Sequence, residues 1–417
     1  MPLKKPLLSL IRNNLKRANN YKKAEFINLI IATMVASLLV IAPSSALAVS
    51  SGTAYRWGTY APSTANMYEQ PSPSAVSDLS NIQYVNAGNS ASYLISAGDL
   101  YGIGLNNYGQ LGQSYISSAT TVVTTPEAIA LPTTASITQI ANGANFAIAI
   151  DANGNAYSWG ANTYGQLCQT PSTYNDTPTA LNFSGQDVVG VAAGGNHAAF
   201  LMSNGTVWSC GINSTGELGN GNTTPSAVPV EADGVSQATA ISAGSSYTTA
   251  LVNGELWDWG NNLEGELGAG LTNSYSDVAV QVKGLTNVVT FAAGGNSNNT
   301  GHQLAVKKNG VVWAWGDDSN GQLGDGKTTN EYSPVKAMLL SEAVASDGGA
   351  QVTGLALGGF DTFILDSAGH VYGVGQSAYG SLGDGSTATT TSLNPVLVDS
   401  GVSMISTTSY NTLDYHP

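Results

Sequence analysis

Charge is scarce in this chain of 417 residues: Asp, Glu, Lys and Arg make up 10%, against a usual ~25%. With 42% hydrophobic residues, that excludes a disordered chain held open by solvated charge. Basic residues are scarcest, 13 Lys and Arg against 27 acids. Seven of the thirteen lie in the first 25 positions, so residues 49–417 keep six against 26 and carry a net −20. A surface so acidic repels phosphate backbones, which excludes nucleic-acid binding through a basic patch. Only two cysteines are present, Cys168 and Cys210, without a Cys-x-x-Cys or Cys/His cluster, so no structural zinc site is expected. They allow a single intrachain pairing, which an exported protein permits. The 49 glycines follow no Gly-X-Y period, and no helical period stands out. What remains is a turn-rich, all-β chain.

One long apolar run exists, Phe26 to Ala42 (FINLIIATMVASLLVIA), uncharged and preceded by the basic stretch. Pro43 and SSALA follow it, with Ala46 and Ala48 as the small residues that a signal peptidase accepts. Residues 1–48 therefore read as a signal peptide cleaved after Ala48, or as an uncleaved signal anchor, because 17 apolar residues lie at the lower edge of spanning length. Either way, residues 49–417 are expected outside the cytoplasm, secreted or at the cell surface. Contact with a membrane is expected only through an uncleaved N-terminal segment.

The rest of the chain repeats itself. AYSWGANTYGQL at 156–167 returns as VWSCGINSTGEL at 207–218, LWDWGNNLEGEL at 256–267 and VWAWGDDSNGQL at 312–323. Weaker copies stand at 100–111 and 371–382, and a degenerate one, YRWGTY, at 55–60. The glycines that anchor these seven copies lie 46 to 59 residues apart, right for a four-stranded unit. Aromatic or apolar residues three and one before each glycine share one face of a strand, and all seven tryptophans occupy those slots. A second glycine five residues on suits a turn needing positive φ. Upstream lies a further repeated element, such as VVGVAAGGNHAAFLMSNG at 188–205, which reads as two strands joined by a short turn. A fourth strand is expected in the Thr/Pro/Val-rich connections, for example Ser226 to Val230. Such units cannot bury their aromatic face alone but can when stacked, so residues 49–417 are expected to form a seven-bladed β-propeller. Residues 402–415 match the upstream element and then stop, while 54–58 hold an aromatic strand with none upstream. The N- and C-terminal strands are therefore expected to close one blade together, covering two open edges.

The double phrase, Ala-Gly-Gly-x-His followed by Trp-x-x-Gly-x-Asn-x-x-Gly-Gln-Leu-Gly, resembles the regulator of chromosome condensation repeat over nearly all of residues 55–415. The resemblance implies the seven-bladed propeller but no single function. That family includes a chromatin-bound exchange factor, ubiquitin-ligase modules and secreted bacterial inhibitors of β-lactamase. The family histidine is present as His197 and His302 but replaced by Phe146, Tyr247 and Asp361 elsewhere, and Cys168 replaces a glycine. Nucleotide exchange is not carried over, since the chain reads as exported and poor in basic residues.

No catalytic constellation is evident: no Gly-x-Ser-x-Gly elbow exists, and the Gly-x-Gly pairs end strands rather than open helices. The run Asp317, Asp318, Asn320, Asp325 lacks calcium-loop spacing and coincides with the ordinary turn of the repeat. No metal and no cofactor are expected. The leading reading is a non-catalytic, monomeric scaffold for an extracellular or cell-surface protein or a glycan. The alternative is an exported glycan hydrolase or lyase with paired carboxylates in the central funnel. Binding is expected at the turns after each Ala-Gly step: Asn145, Phe146, Asn196, His197, Ser246, Tyr247, Asn296, Phe360 and Asp361, with an insertion at Ser297 to Gly301. Phe146, Tyr247 and Phe360 are the expected anchors. The long connections at 113–134 and 384–394 are the fallback site.

Overall fold

The computed structural model describes residues 52–58, 70–76, 79, 81–118, 121–296, 300–386, 390–408 and 411–417. The export segment at 1–48 and Ser297–Asn299 of the insertion lie outside them. Strands form seven separate four-stranded antiparallel sheets, as the repeat count requires. In each unit the first strand is innermost: Ile82–Asn86, Ile137–Asn142, Val188–Ala193, Ala238–Ala243, Val288–Ala293, Val352–Leu357 and Met404–Thr407. Neighbouring first strands touch in that order and return from the last to the first, so the sheets form a closed seven-bladed propeller.

Burial along the strands follows their radial position. Second strands such as Phe146–Asp151, His197–Met202 and Asp361–Asp366 are buried at every residue, because each lies between two neighbouring blades. Fourth strands such as Tyr275–Gln281 are half-exposed along their length. The expected fourth strand is Ser226–Glu231. The glycines that end the third strands, such as Gly104 and Gly211, have φ of 122° and 114°, and the turn glycines Gly109 and Gly216 also have positive φ. Side chains would be strained at these positions.

The termini meet as the repeat pattern implies. Thr53–Gly58 pairs on one side with Gln70–Val76 and on the other with Asn411–His416, which pairs with Met404–Thr407. The Trp57 indole donates from this closing blade to the Ser381 carbonyl of the preceding one, at 2.9 Å.

Among the described residues one α-helix departs from the all-β expectation, Met338–Ser346. Its nine residues bury Leu340 and Val344, one turn apart. So short a segment shows only one turn of apolar spacing, which a single sequence window does not separate from a loop. Among the described residues no helix is long and apolar enough to cross a membrane.

Candidate functional site

The first strands enclose a central channel, and at its turn end lies a cavity of about 290 Å³ lined by Tyr84, Asn86, Asn142, Ser242, small residues and the turns after the Ala-Gly steps. Glycine recurs in those turns because the blades converge there. A Cβ on Gly143 would lie 2.5 Å from the Gly194 carbonyl, one on Gly194 2.6 Å from that of Gly244, and one on Gly244 2.7 Å from that of Gly294. Hydrogen bonds then chain the turns along the mouth. The Ser90 hydroxyl donates to the Ala144 carbonyl (2.9 Å), Ala144 N–H to Gly195 (3.1 Å), and Gly195 N–H to Ser245 (2.8 Å). The rim is therefore pre-organised, neutral and made of small groups. No residue lining this cavity is a carboxylate, so the pair that a glycan hydrolase would need is not found on the described walls.

The expected anchors do not face that mouth. Phe146, His197, Tyr247, His302 and Asp361 are the first residues of their second strands, each directly opposite a third-strand glycine. At that position the side chain turns into the seam with a neighbouring blade, and all five are buried. Tyr247 places its hydroxyl 2.8 Å from the Gly294 and His302 carbonyls of the next blade. Phe146 and Tyr247 thus offer no contact surface, which corrects the expectation, and Phe360 is only half-buried. Asn145, Asn196, Ser246 and Phe360 contribute their carbonyls, each accepting the N–H of the residue after a third-strand glycine at 2.8–2.9 Å. The Asn296 amide donates to the Thr300 hydroxyl at 2.6 Å.

The two repeat histidines join blades. His197 Nε2 lies 2.9 Å from the Thr248 hydroxyl, and that hydroxyl donates to the Glu217 carbonyl. With the hydroxyl proton so used, Nε2 must be the donor, so the neutral ring carries its proton on Nε2. His302, Thr362 and the Gln322 carbonyl repeat the arrangement. Burial holds His197 down to about 4 and lowers His302 as well, so both stay neutral at pH 7. Asp258 and Asp361, both buried, are pushed well above the usual carboxylate range by lost hydration. In the acidic run, Asp317, Asp318 and Asp325 accept backbone N–H bonds from Ser319, Leu323 and Lys327, which is a turn's work rather than a calcium loop's.

The antiparallel order places the first-to-second turns and the third-to-fourth loops at the same end of each blade. That end carries the exposed aromatics. Tyr108 and Tyr115, in the 106–117 loop, are 37% and 44% exposed, and Tyr164 in the next blade's loop is 44% exposed. Their loops are docked: Ser114 N–H donates to the Asp176 carbonyl of the adjacent blade, and Tyr115 hydroxyl to Glu127. The signal for this surface was the tyrosine before the second glycine at Tyr108 and Tyr164, read in sequence only as part of a turn phrase.

Comparison with known proteins agrees with the fold. Models of the regulator of chromosome condensation (RCC1) repeat match residues 97–150, 153–201, 204–251 and 309–356, and a second form of the repeat matches 137–166 and 188–217. The human E3 ubiquitin-protein ligase HERC2 is 30% identical over 313 residues, 70% of this chain, which spans only 6% of that protein's length. The ultraviolet-B receptor UVR8 of Arabidopsis thaliana is 25% identical over 324 residues, covering 76% of this chain and 70% of the receptor. Among solved structures, human WBSCR16 superposes with TM-score 0.75 at 21% identity, over 88% of this chain and 99% of that one. Yeast RCC1 (Prp20), solved bound to Kap60, gives TM-score 0.75 at 18% identity over 90% and 92%. With the repeat models, the ring and its inter-blade glycines in agreement, the chain carries repeats of the RCC1 family.

Proposed function

We propose that this chain is an exported, non-catalytic propeller that binds an extracellular or cell-surface protein on the face formed by the channel mouth and its surrounding loops. The observation that carries this reading is the exposure of Tyr108, Tyr115 and Tyr164 on docked loops at that end. Rigid aromatics contribute contact area at low entropic cost, and the hydrogen-bonded rim needs no reordering on binding. Protein binding has precedent in the fold: Prp20 is described as bound to Kap60, and as having binding properties to Gsp1p and histones. Export rests on the basic stretch, the apolar run and Ala46-x-Ala48, and the single disulfide suits an oxidising compartment.

Exported protein, sequenced from its N-terminus, should begin at Val49 and should retain a protein partner from the extracellular fraction. Replacing Tyr108, Tyr115 and Tyr164 together by Ala should weaken that binding ~10-fold or more, with the melting temperature near wild type. Undiminished binding by the triple variant moves the site off this face, and an intact Met1 on exported material replaces the secreted form with an anchored one.

A further inference from the structure

The closing blade carries a buried carboxylate where its six companions carry hydrocarbon. Counting three residues on from the position opposite each third-strand glycine gives Leu94, Ala149, Phe200, Ala250, Ala305 and Ile364, all fully buried. In the closing blade the same count from Asn411, opposite Gly58, arrives at Asp414, equally buried. Neither of its carboxylate oxygens has a hydrogen-bond partner. A buried carboxylate without a hydrogen bond is costly, and a propeller does not need one there.

Two more ligand-type groups converge on it. His416 lies two residues further along the same strand, hence on the same face, with Nε2 3.7 Å from Asp414 Oδ1. Asp399 ends the outer strand Thr391–Asp399 of the preceding blade, and its Oδ2 is 3.3 Å from the same nitrogen. The three ligand atoms lie within 4.8 Å of one another. Donors at about 2.0–2.2 Å from one tetrahedral zinc stand roughly 3.3–3.6 Å apart, so the two nitrogen–oxygen separations, 3.3 and 3.7 Å, are already close to what the ion needs. The Tyr55 ring packs on His416 with centroids 4.6 Å apart and fixes the imidazole's direction. Asp414 is fully enclosed, while Asp399 and His416 are 19% and 24% exposed, which leaves a way in from solvent.

We propose that Asp399, Asp414 and His416 form a binding site for a divalent transition metal of the zinc type, which clasps the C-terminal strand of the closing blade to the blade before it. One imidazole and two carboxylates suit Zn²⁺ or Co²⁺ better than Ca²⁺ or Mg²⁺, which favour oxygen donors only. A cation between the carboxylates gives Asp414 a closer partner than the imidazole at 3.7 Å and links the outer strand of one blade to the second strand of the next.

The test is titration of the chelator-stripped full chain with Zn²⁺, followed by calorimetry and thermal melting, and with Co²⁺ followed by its visible absorption. One ion per chain should bind at this site, and metal at ~100-fold excess over Kd should raise the melting temperature by about 3–6 °C. Asp414→Ala restores the residue that three other blades carry and should fold without metal. It should lose the thermal shift and weaken Zn²⁺ binding at this site at least ten-fold. His416→Ala, a change at a partly exposed position, should do the same and serves if the first variant fails to fold. His197 and His302 are buried in seams, so His370, beside Asp347 and Asp366, is the other imidazole placed for a metal. Zinc binding that survives His416→Ala and disappears in His370→Ala overturns the proposal, as does a chain that shows neither heat nor thermal shift.

Discussion

Glu266 occupies the position that Gln110, Gln166 and Gln322 hold in other repeats, and the comparison shows what that position does. The side-chain oxygen accepts the N–H two residues earlier, from Glu264 here at 2.9 Å and from Asn320 to Gln322 at 2.8 Å. The residue's own carbonyl receives the next blade's indole, Trp315 Nε1 to Glu266 at 2.9 Å and Trp159 Nε1 to Gln110 at 2.7 Å. In one unit Asn261 donates to Glu266, and in the next Gln322 donates to Asp317, so an acid and an amide share the two positions in either order. Burial raises Glu266 to about 7. A carboxyl raised in the folded state binds its proton more tightly there than in the unfolded chain. Its ionisation therefore costs stability increasingly as pH rises from the ordinary value near 4.5 to about 7, and by a constant amount above that. Glu266→Gln, with the Asn261 amide reversed to accept, should be near neutral at pH 4.5 and stabilise by about 1–3 kcal/mol at pH 8. Denaturant unfolding at both pH values checks this, and equal differences at the two would contradict it. At this scale the sequence was only half legible. The phrase Ala-Gly-Gly-x-His suggests turn residues throughout, yet the strand begins at the histidine position. Alternation across that strand then sends Phe146, His197 and Tyr247 into the seam rather than to solvent.

Between blades, a glycine lies against an indole at four seams. A Cβ on Gly112, Gly219, Gly268 or Gly383 would fall within 2.7–3.2 Å of Trp159, Trp259, Trp315 or Trp57 respectively. At one seam both partners change together: Cys168 stands for the glycine, Cys210 for the tryptophan, and they form a disulfide with Cα atoms 5.4 Å apart. The two departures from the repeat were visible in the sequence, but their pairing was not, because the seam is a contact between units rather than within one. The helix was hidden for a related reason. A Cβ on Gly324 would meet Leu340 at 2.5 Å, so the Met338–Ser346 helix brings a leucine to the glycine where the next blade has only Val374 in the tryptophan slot. The disulfide closes a loop of 42 residues, which corresponds to about 3–4 kcal/mol of chain entropy. Replacing both cysteines by serine should lose roughly that stability, and reductant should then have no further effect on melting. Cys168→Gly with Cys210→Trp rebuilds the seam used elsewhere and should recover a substantial part of the loss without a covalent bond. A Gly/Trp variant no more stable than the double serine variant would show that the disulfide, not the filled seam, holds these blades together.

Closure of the ring is the property of the whole molecule, and it depends on chain ends that share one sheet. Leu413 and Tyr415 pack with Ala54, Val76, Ile82 and Val85 on one side of the closing blade, while Trp57 packs with Phe363 and Leu365 on the other. Deleting residues 402–417 removes the two inner strands of that blade at once. Thr53–Gly58 would keep only its pairing with Gln70–Val76, the first strands Ile82–Asn86 and Val352–Leu357 would each lose a neighbour, and both cores would open to water. Exposed strand edges of this kind recruit other chains. The truncated protein should be mostly insoluble, or melt at least ~10 °C lower than the full chain. Loss of the strands can be separated from loss of the terminus. Gly52 lies against the His416 carbonyl, so the two ends are adjacent, and Thr53 pairs directly with His416. Moving residues 402–417 in front of Gly52 through a short turn converts the closing blade into one of the ordinary kind, with its second and third strands joined as a hairpin. That permuted chain should recover solubility and most of the melting temperature. A truncated chain that melts like the full-length protein would show that the ring is held by the six continuous blades alone, and a permuted one that stays insoluble would show that restoring the strands is not enough to close it.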